Sequence, residues 1–150
     1  LATLSMLVWL NTYATDGIRQ EISSYAFENF TQEKFVKSVN DKNTPIFKVQ
    51  VDECVVGFIK LNLSARYSGE ANGYEIETLY VVPQFKGQGI GKKLLEYVKE
   101  NFGKNFWLHT WVNNQNAIEF YQYLGFKDIG EMFFELDGEK HENRVLAFCG

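Results

Sequence analysis

YEIETLYVVPQFKGQGIGKKLLEYVKENFG, residues 74–103, changes its periodicity once, and that change decides the fold. YEIETLYVV alternates for several positions and then runs apolar, the pattern of a strand passing from a half-open to a buried position. Beyond it, Ile90, Leu94, Leu95, Val98 and Phe102 recur at helical spacing, and Gly103 stands where a helix stops. Between them lies Gln84-Phe85-Lys86-Gly87-Gln88-Gly89-Ile90-Gly91. A glycine turn between a strand and a helix offers free backbone N–H groups and the positive end of the helix dipole, which favours an anion such as phosphate. Two common phosphate loops are excluded by count. A Walker A loop needs glycine where Lys86 stands and Ser or Thr where Lys93 stands, and the dinucleotide fingerprint needs glycine where Lys92 stands.

Working outward, IFKVQV and VVGFIKLNL flank Asp52-Glu53 as an antiparallel hairpin, and Ser64 to Gly73 is a polar loop. FWLHTWV from Phe106 is another strand, Asn116 to Leu124 is a short helix stopped by Gly125, and MFFEL with NRVLAF closes a hairpin across Asp137-Gly138. Toward the N-terminus, Thr31 caps a helix carrying Phe35, Val36 and Val39 that ends near Asn40. The opening LATLSMLVWL lacks the basic lead-in and small-residue cleavage site of a signal peptide, and it is too short to span a bilayer. It reads as a first helix with Leu4, Leu7, Val8 and Trp9 on its buried side. Helices, antiparallel strands, a β-α-β-α unit and a last hairpin make a mixed α/β fold: a mostly antiparallel central sheet flanked by helices.

The 150 residues, 45% hydrophobic and 16% aromatic, suffice for one domain with one filled core. A formal net charge of -4 argues against a nucleic-acid partner and mildly favours a cationic substrate. Cys54 and Cys149 are far apart, with no CxxC pair, and His109 and His141 are isolated, so neither a zinc site nor a disulfide framework is suggested. The expectation is no metal, no membrane, and two buried or idle thiols in a reducing cytoplasm.

Gln84-x-x-Gly87-x-Gly89 matches the (Gln/Arg)-x-x-Gly-x-(Gly/Ala) turn of the GNAT superfamily of N-acetyltransferases, which this sequence resembles. LYVVPQFKGQGIGKKLL looks like that superfamily's cofactor strand, turn and helix, and AIEFYQYLGF looks like its second signature. The start around WLNTYA, the KLN strand ending and WVNNQNAIEFY look most like bacterial acetyltransferases of the PaiA type, which act on spermine and spermidine. The resemblance implies the GNAT-like acyl-CoA N-acyltransferase fold with acetyl-coenzyme A as cosubstrate. Superfamily members normally begin with a strand, whereas Leu1 already reads as helical, so the first strand is expected to be missing.

By the family pattern, the backbone of Leu79, Tyr80, Val81 and Val82 pairs with the pantetheine arm. Gln84 opens the turn, and the amides of Lys86, Gly87, Gln88, Gly89, Ile90, Gly91 and Lys92 cradle the pyrophosphate. Asn114 supplies a side-chain contact, Ala117 leaves room for the cofactor, and the thioester carbonyl meets a backbone N–H near Val81. Tyr121 is the family's proton donor to the leaving thiolate, whose thiol has a pKa of about 8.5. An alkylamine, with a pKa of about 10.4, arrives mostly as ammonium and must lose a proton before it attacks. Glu77 is the preferred base because it stands nearer the acetyl site than Glu75, which shares its side of the strand; His109 is a third candidate, able equally to face the core between Trp107 and Trp111. The acceptor is expected to be a small-molecule amine, a polyamine first. A protein or peptide amine and a non-catalytic acyl-coenzyme A sensor stay open as alternatives. An edge strand near the C-terminus leaves room for a homodimer.

Overall fold

The computed structural model describes residues 1–150. Strands β1 (Ile46–Val51), β2 (Cys54–Asn62), β3 (Tyr74–Val81), β4 (Asn105–Trp111), β5 (Lys127–Leu136) and β6 (Glu139–Cys149) form one sheet in the order β1-β2-β3-β4-β6-β5. All neighbours are antiparallel except β3 and β4, which run parallel because helix α4 (Ile90–Phe102) crosses between them. Both hairpins turn on two residues with positive φ, Asp52-Glu53 (47° and 67°) and Asp137-Gly138 (51° and 76°). That turn geometry follows the right-handed twist of the strands it joins.

Helices α4 and α5 (Gln115–Tyr123) cover one face of the sheet. There Ile90, Leu94, Leu95 and Val98 pack on Ile59, Leu61, Ile76, Phe106, Leu108 and Leu146. The helical stripe legible in the sequence is thus the core seam, each fully buried aliphatic side chain contributing roughly 1.5–3 kcal/mol. Helices α1 (Ala2–Tyr13), α2 (Gln20–Asn29) and α3 (Gln32–Asn40) lie on the opposite face. Leu4 and Val8 meet Phe58 there, and Trp9 meets Ile22 and Ala26.

Several expectations are corrected. Leu7 is exposed, because the buried stripe of α1 runs through Leu4, Ser5, Val8 and Trp9, with the Ser5 hydroxyl donating to Leu1 O at 2.8 Å. Helix α2 is not legible in the sequence, since it buries only Ile22 and Ala26, one i,i+4 pair. Thr31 does cap α3, accepting from the Lys34 amide, but Val36 and Val39 are exposed and only Phe35 packs, edge-on to Phe58. Cys54 and Cys149 are both free and exposed, which corrects only the buried half of the expectation of buried or idle thiols. The burial of β3 runs opposite to expectation: Tyr74, Glu75 and Ile76 are buried and Leu79 to Val82 are only half-buried. No helix is long and apolar enough to cross a membrane.

Candidate active site

The reversed burial of β3 has a geometric cause. Strands β3 and β4 pair only at Tyr74↔Phe106 and Glu75↔Trp107, although both continue for several residues. Opposite β2 the register slips, Lys60 facing Thr78 and Leu61 facing Ile76, so Glu77 is the extra residue of a bulge that bends the strand. Beyond Glu75 the two strands splay into a fork. The β4-facing edge of β3 as far as Val81 is unpaired, a strand edge to which an extended chain can add.

The glycine turn sits at the open end of that edge. After the 3-10 turn Pro83–Phe85, which contains Gln84, Gly87 and Gly89 adopt φ of 79° and 78°, and Gly89 is the left-handed N-cap of α4. These dihedrals aim successive amides outward instead of back along the chain. The first helical bond is Lys93 N–H to Gly89 O, and the amides of residues 87–92 find no acceptor within the protein. Gly91 has an ordinary φ, and an added Cβ would lie 3.3 Å from Cζ of the exposed Phe120 ring, a tight contact that the ring can relieve by moving. Lys86 is exposed and unpaired, Lys92 makes only a 3.9 Å contact with Glu96, and both can swing toward a phosphate. Ile90 contributes its amide alone, its side chain being buried.

Helix α5 brings Tyr121 to the same side of the sheet. Asn114 is the N-cap of α5, its Oδ1 accepting from the Ala117 amide at 3.4 Å. Tyr121 lies on the buried face against Phe126, and burial pushes its hydroxyl well above the ordinary tyrosine range, so it is a protonated donor at neutral pH. Burial first, then the nearby phenols of Tyr13, Tyr25 and Tyr121, likewise raises Tyr80. Tyr13 of α1 and Tyr25 of α2 both stack on Trp9, at 4.8 and 4.7 Å.

On the opposite face, where α1 and α2 pack, the fork is lined by polar and aromatic side chains. Glu77 forms a 2.7 Å ion pair with Lys60. Glu75 is buried, with Oε1 3.4 Å from His109 Nε2, and His109 Nδ1 accepts from Asn143 Nδ2 at 2.7 Å. His109 does share its face with Trp107 and Trp111, and its side chain stays one-third exposed. Tyr13 stacks on Trp111 at 5.0 Å and on Trp9 at 4.8 Å, and His141 stacks on Phe134 at 5.1 Å. Such a wall offers aromatic faces to a cation.

The structure gathers the turn residues, the outer half of β3, Asn114 and Tyr121 around one side of the fork, with Glu75, Glu77 and His109 on the other. Asn143, Lys60 and Tyr13 are not found by sequence reasoning. Asn143 lies opposite Trp111 and diagonal to His109 through the β4–β6 register, which no local pattern encodes. A concave pocket of ≈ 560 Å³ lined by Leu63, Arg66, Tyr74, Phe102 and Lys104 lies at the other end of β3, remote from the turn.

Comparison with known proteins agrees with this geometry. A PaiA N-acetyltransferase from Thermoplasma acidophilum, solved in complex with coenzyme A, superposes with a TM-score of 0.72 at 23% identity, covering 95% of this chain and 88% of that one. An uncharacterized N-acetyltransferase of Lactobacillus delbrueckii subsp. lactis is 25% identical over 150 residues, 95% of this chain and 86% of the relative. The spermine/spermidine N(1)-acetyltransferase of Bacillus subtilis is 29% identical over 93 residues, 57% of this chain and 60% of the relative. Residues 5–126 match the acetyltransferase (GNAT) family, and the chain belongs to it as an N-acetyltransferase.

Proposed function

We propose that this enzyme transfers the acetyl group of acetyl-coenzyme A to a primary amine of a small cationic acceptor, a polyamine. The observation that carries the reading is the run of amides 87–92 without an internal acceptor, set at a helix N-terminus beside the unpaired edge of β3. A pyrophosphate fits those amides, and an extended pantetheine arm fits the edge formed by Leu79 to Val82. Asn114, on the last turn before α5, reaches the same arm. The polyamine is supported by carboxylates and aromatic rings on the opposite face of the fork and by the likeness to the spermine/spermidine enzyme of Bacillus subtilis.

The reaction balances as follows. The acceptor ammonium loses one proton to a base on the β3 carboxylate face, and its nitrogen pair attacks the thioester carbon. A backbone N–H near Val81 stabilises the developing oxyanion. As the C–S bond breaks, the sulfur keeps the bonding pair and takes a proton from Tyr121, which regains one from the acylated nitrogen. The products are the amide, coenzyme A thiol and one proton released to solvent.

The test is steady-state release of coenzyme A with spermidine, spermine, aminoglycosides and short peptides as acceptors. The expected outcome is amine-dependent release with the largest kcat/KM for a polyamine. A preference for peptide N-termini would reassign the acceptor. Binding of acetyl-coenzyme A without release for any amine would replace catalysis by sensing.

A further inference from the structure

On the acceptor face, three polar side chains from three strands form a directed chain. Asn143 of β6 is buried, and its Nδ2 donates to Nδ1 of His109 on β4 at 2.7 Å. A ring nitrogen that accepts a hydrogen bond carries no proton, so the neutral imidazole keeps its proton on Nε2. That nitrogen lies 3.4 Å from Oε1 of Glu75, the last residue of β3 paired to β4 before the fork. The remaining Asn143 atom, Oδ1, is buried without a partner. Turned over, the amide would offer this oxygen to Nδ1–H of a protonated ring. In either charge state of His109, Glu75 therefore faces an N–H.

Taking the acetyl-transfer reading as its basis, we propose that Glu75 is the catalytic base for the acceptor ammonium, and that His109 and Asn143 are positioning residues which present its carboxylate as a proton acceptor. The ammonium N–H bond breaks, the proton bonds to Oε2 of Glu75, and the nitrogen retains the electron pair for attack. His109 Nε2 faces Oε1 at 3.4 Å, and Oε2 makes no hydrogen bond or ion pair. Glu77 is less suited, because its carboxylate is tied up in a 2.7 Å ion pair with Lys60. The other charged and titratable groups on this face are Lys60 of β2 with Glu77, Tyr80 of β3 beside Phe58, Tyr67 packed on Trp107, Tyr13 of α1 stacked on Trp111, Tyr25 of α2 stacked on Trp9, and His141 of β6, 3.8 Å from Glu139.

The experiment measures kcat and KM at about pH 7 and about pH 9.5, the latter approaching the ordinary alkylamine pKa of about 10.4. The acceptor is whichever amine gives the fastest wild-type release in the panel. Glu75→Gln is expected to lower kcat/KM about 100-fold or more at the lower pH, with kcat carrying the loss. Most of it should return at the higher pH, where solvent itself deprotonates the amine. His109→Phe is expected to give a smaller loss, about 10-fold, with the same pH-dependent recovery. His109→Gln, whose amide can still donate to Glu75, should retain more activity than His109→Phe at equal thermal midpoint. If His109→Phe does not fold, Glu75→Gln and His109→Gln carry the test. A loss of the same factor at both pH values, or wild-type rates in Glu75→Gln, would overturn the relay. Absence of wild-type turnover with every amine would overturn the acetyl-transfer reading before any variant is made.

Discussion

Burial holds the Tyr121 hydroxyl protonated far above neutral pH, and its ring packs between Phe120 and Phe126 on the inner face of α5. Both facts suit a group that gives a proton to a departing thiolate. Phenylalanine keeps the ring and removes only the O–H. Tyr121→Phe should therefore lower kcat about 100-fold while leaving the dissociation constant for acetyl-coenzyme A nearly unchanged. Single-turnover kinetics with an equilibrium binding titration would check it, and an unaltered kcat would take Tyr121 out of the reaction. The roles proposed for Glu75, His109 and Asn143 are far less legible in the sequence than the one proposed for Tyr121. Tyr121 sits within a contiguous helical signature, whereas the other three belong to strands distant in sequence, and only the β4–β6 register brings Asn143 to His109. In a regular strand Glu77 is the carboxylate nearer the acetyl site, which is why the alternating pattern favours it as the base. The Lys60 pairing and the bulge at Glu77 are tertiary facts with no trace in an alternating pattern.

At the level of elements, the glycine turn and α4 are where sequence and structure agree most closely, because each local preference there favours the same geometry. Gly89 at φ 78° is the N-cap, and nothing lies within 4 Å of where its Cβ would be. Gly89→Ala therefore meets no clash, only the left-handed backbone penalty of roughly 1–2 kcal/mol. It should lower the thermal midpoint and weaken acetyl-coenzyme A binding together, since relaxation of the turn re-aims the amides. Gly91→Ala is the control for stability: its φ is ordinary, its only close neighbour is the exposed Phe120 ring, and the helix gains up to about 1 kcal/mol of propensity. Thermal melts should place the two variants on opposite sides of wild type, and equal melting would remove the backbone argument. Elements with weak local signals were lost. Helix α2 buries too little to show a period, and the outer end of β3 is apolar yet only half-buried because β4 diverges from it, a tertiary fact behind a sequence that reads like a buried strand.

Across the whole molecule, five phenols are held above the ordinary tyrosine range. Tyr13 is pushed up to about 12 by burial and then by Tyr25, while burial raises Tyr25, Tyr74, Tyr80 and Tyr121 as well, the last three beyond Tyr13. In the unfolded chain each titrates near 10. Above that value the unfolded state sheds protons that the native state keeps, so unfolding becomes more favourable as pH rises. The stabilisation is complete below about pH 10 and is lost progressively as pH climbs through the raised native values, by up to about 1.4 kcal/mol per pH unit for each fully buried phenol. Tyr25, more open to water, contributes less. The thermal midpoint should therefore be insensitive to these groups up to about pH 9 and fall steeply above about pH 10. Tyrosinate absorbance from these five rings should appear together with loss of the folded circular-dichroism signal, not before it. Tyr80→Phe, which removes one titrating group while keeping the ring that packs edge-on to Phe58, should flatten the alkaline fall. An alkaline slope identical to wild type would mean that Tyr80 ionises without resistance in the folded protein, and that the packing around Tyr80 and Phe58 admits more water than its geometry indicates.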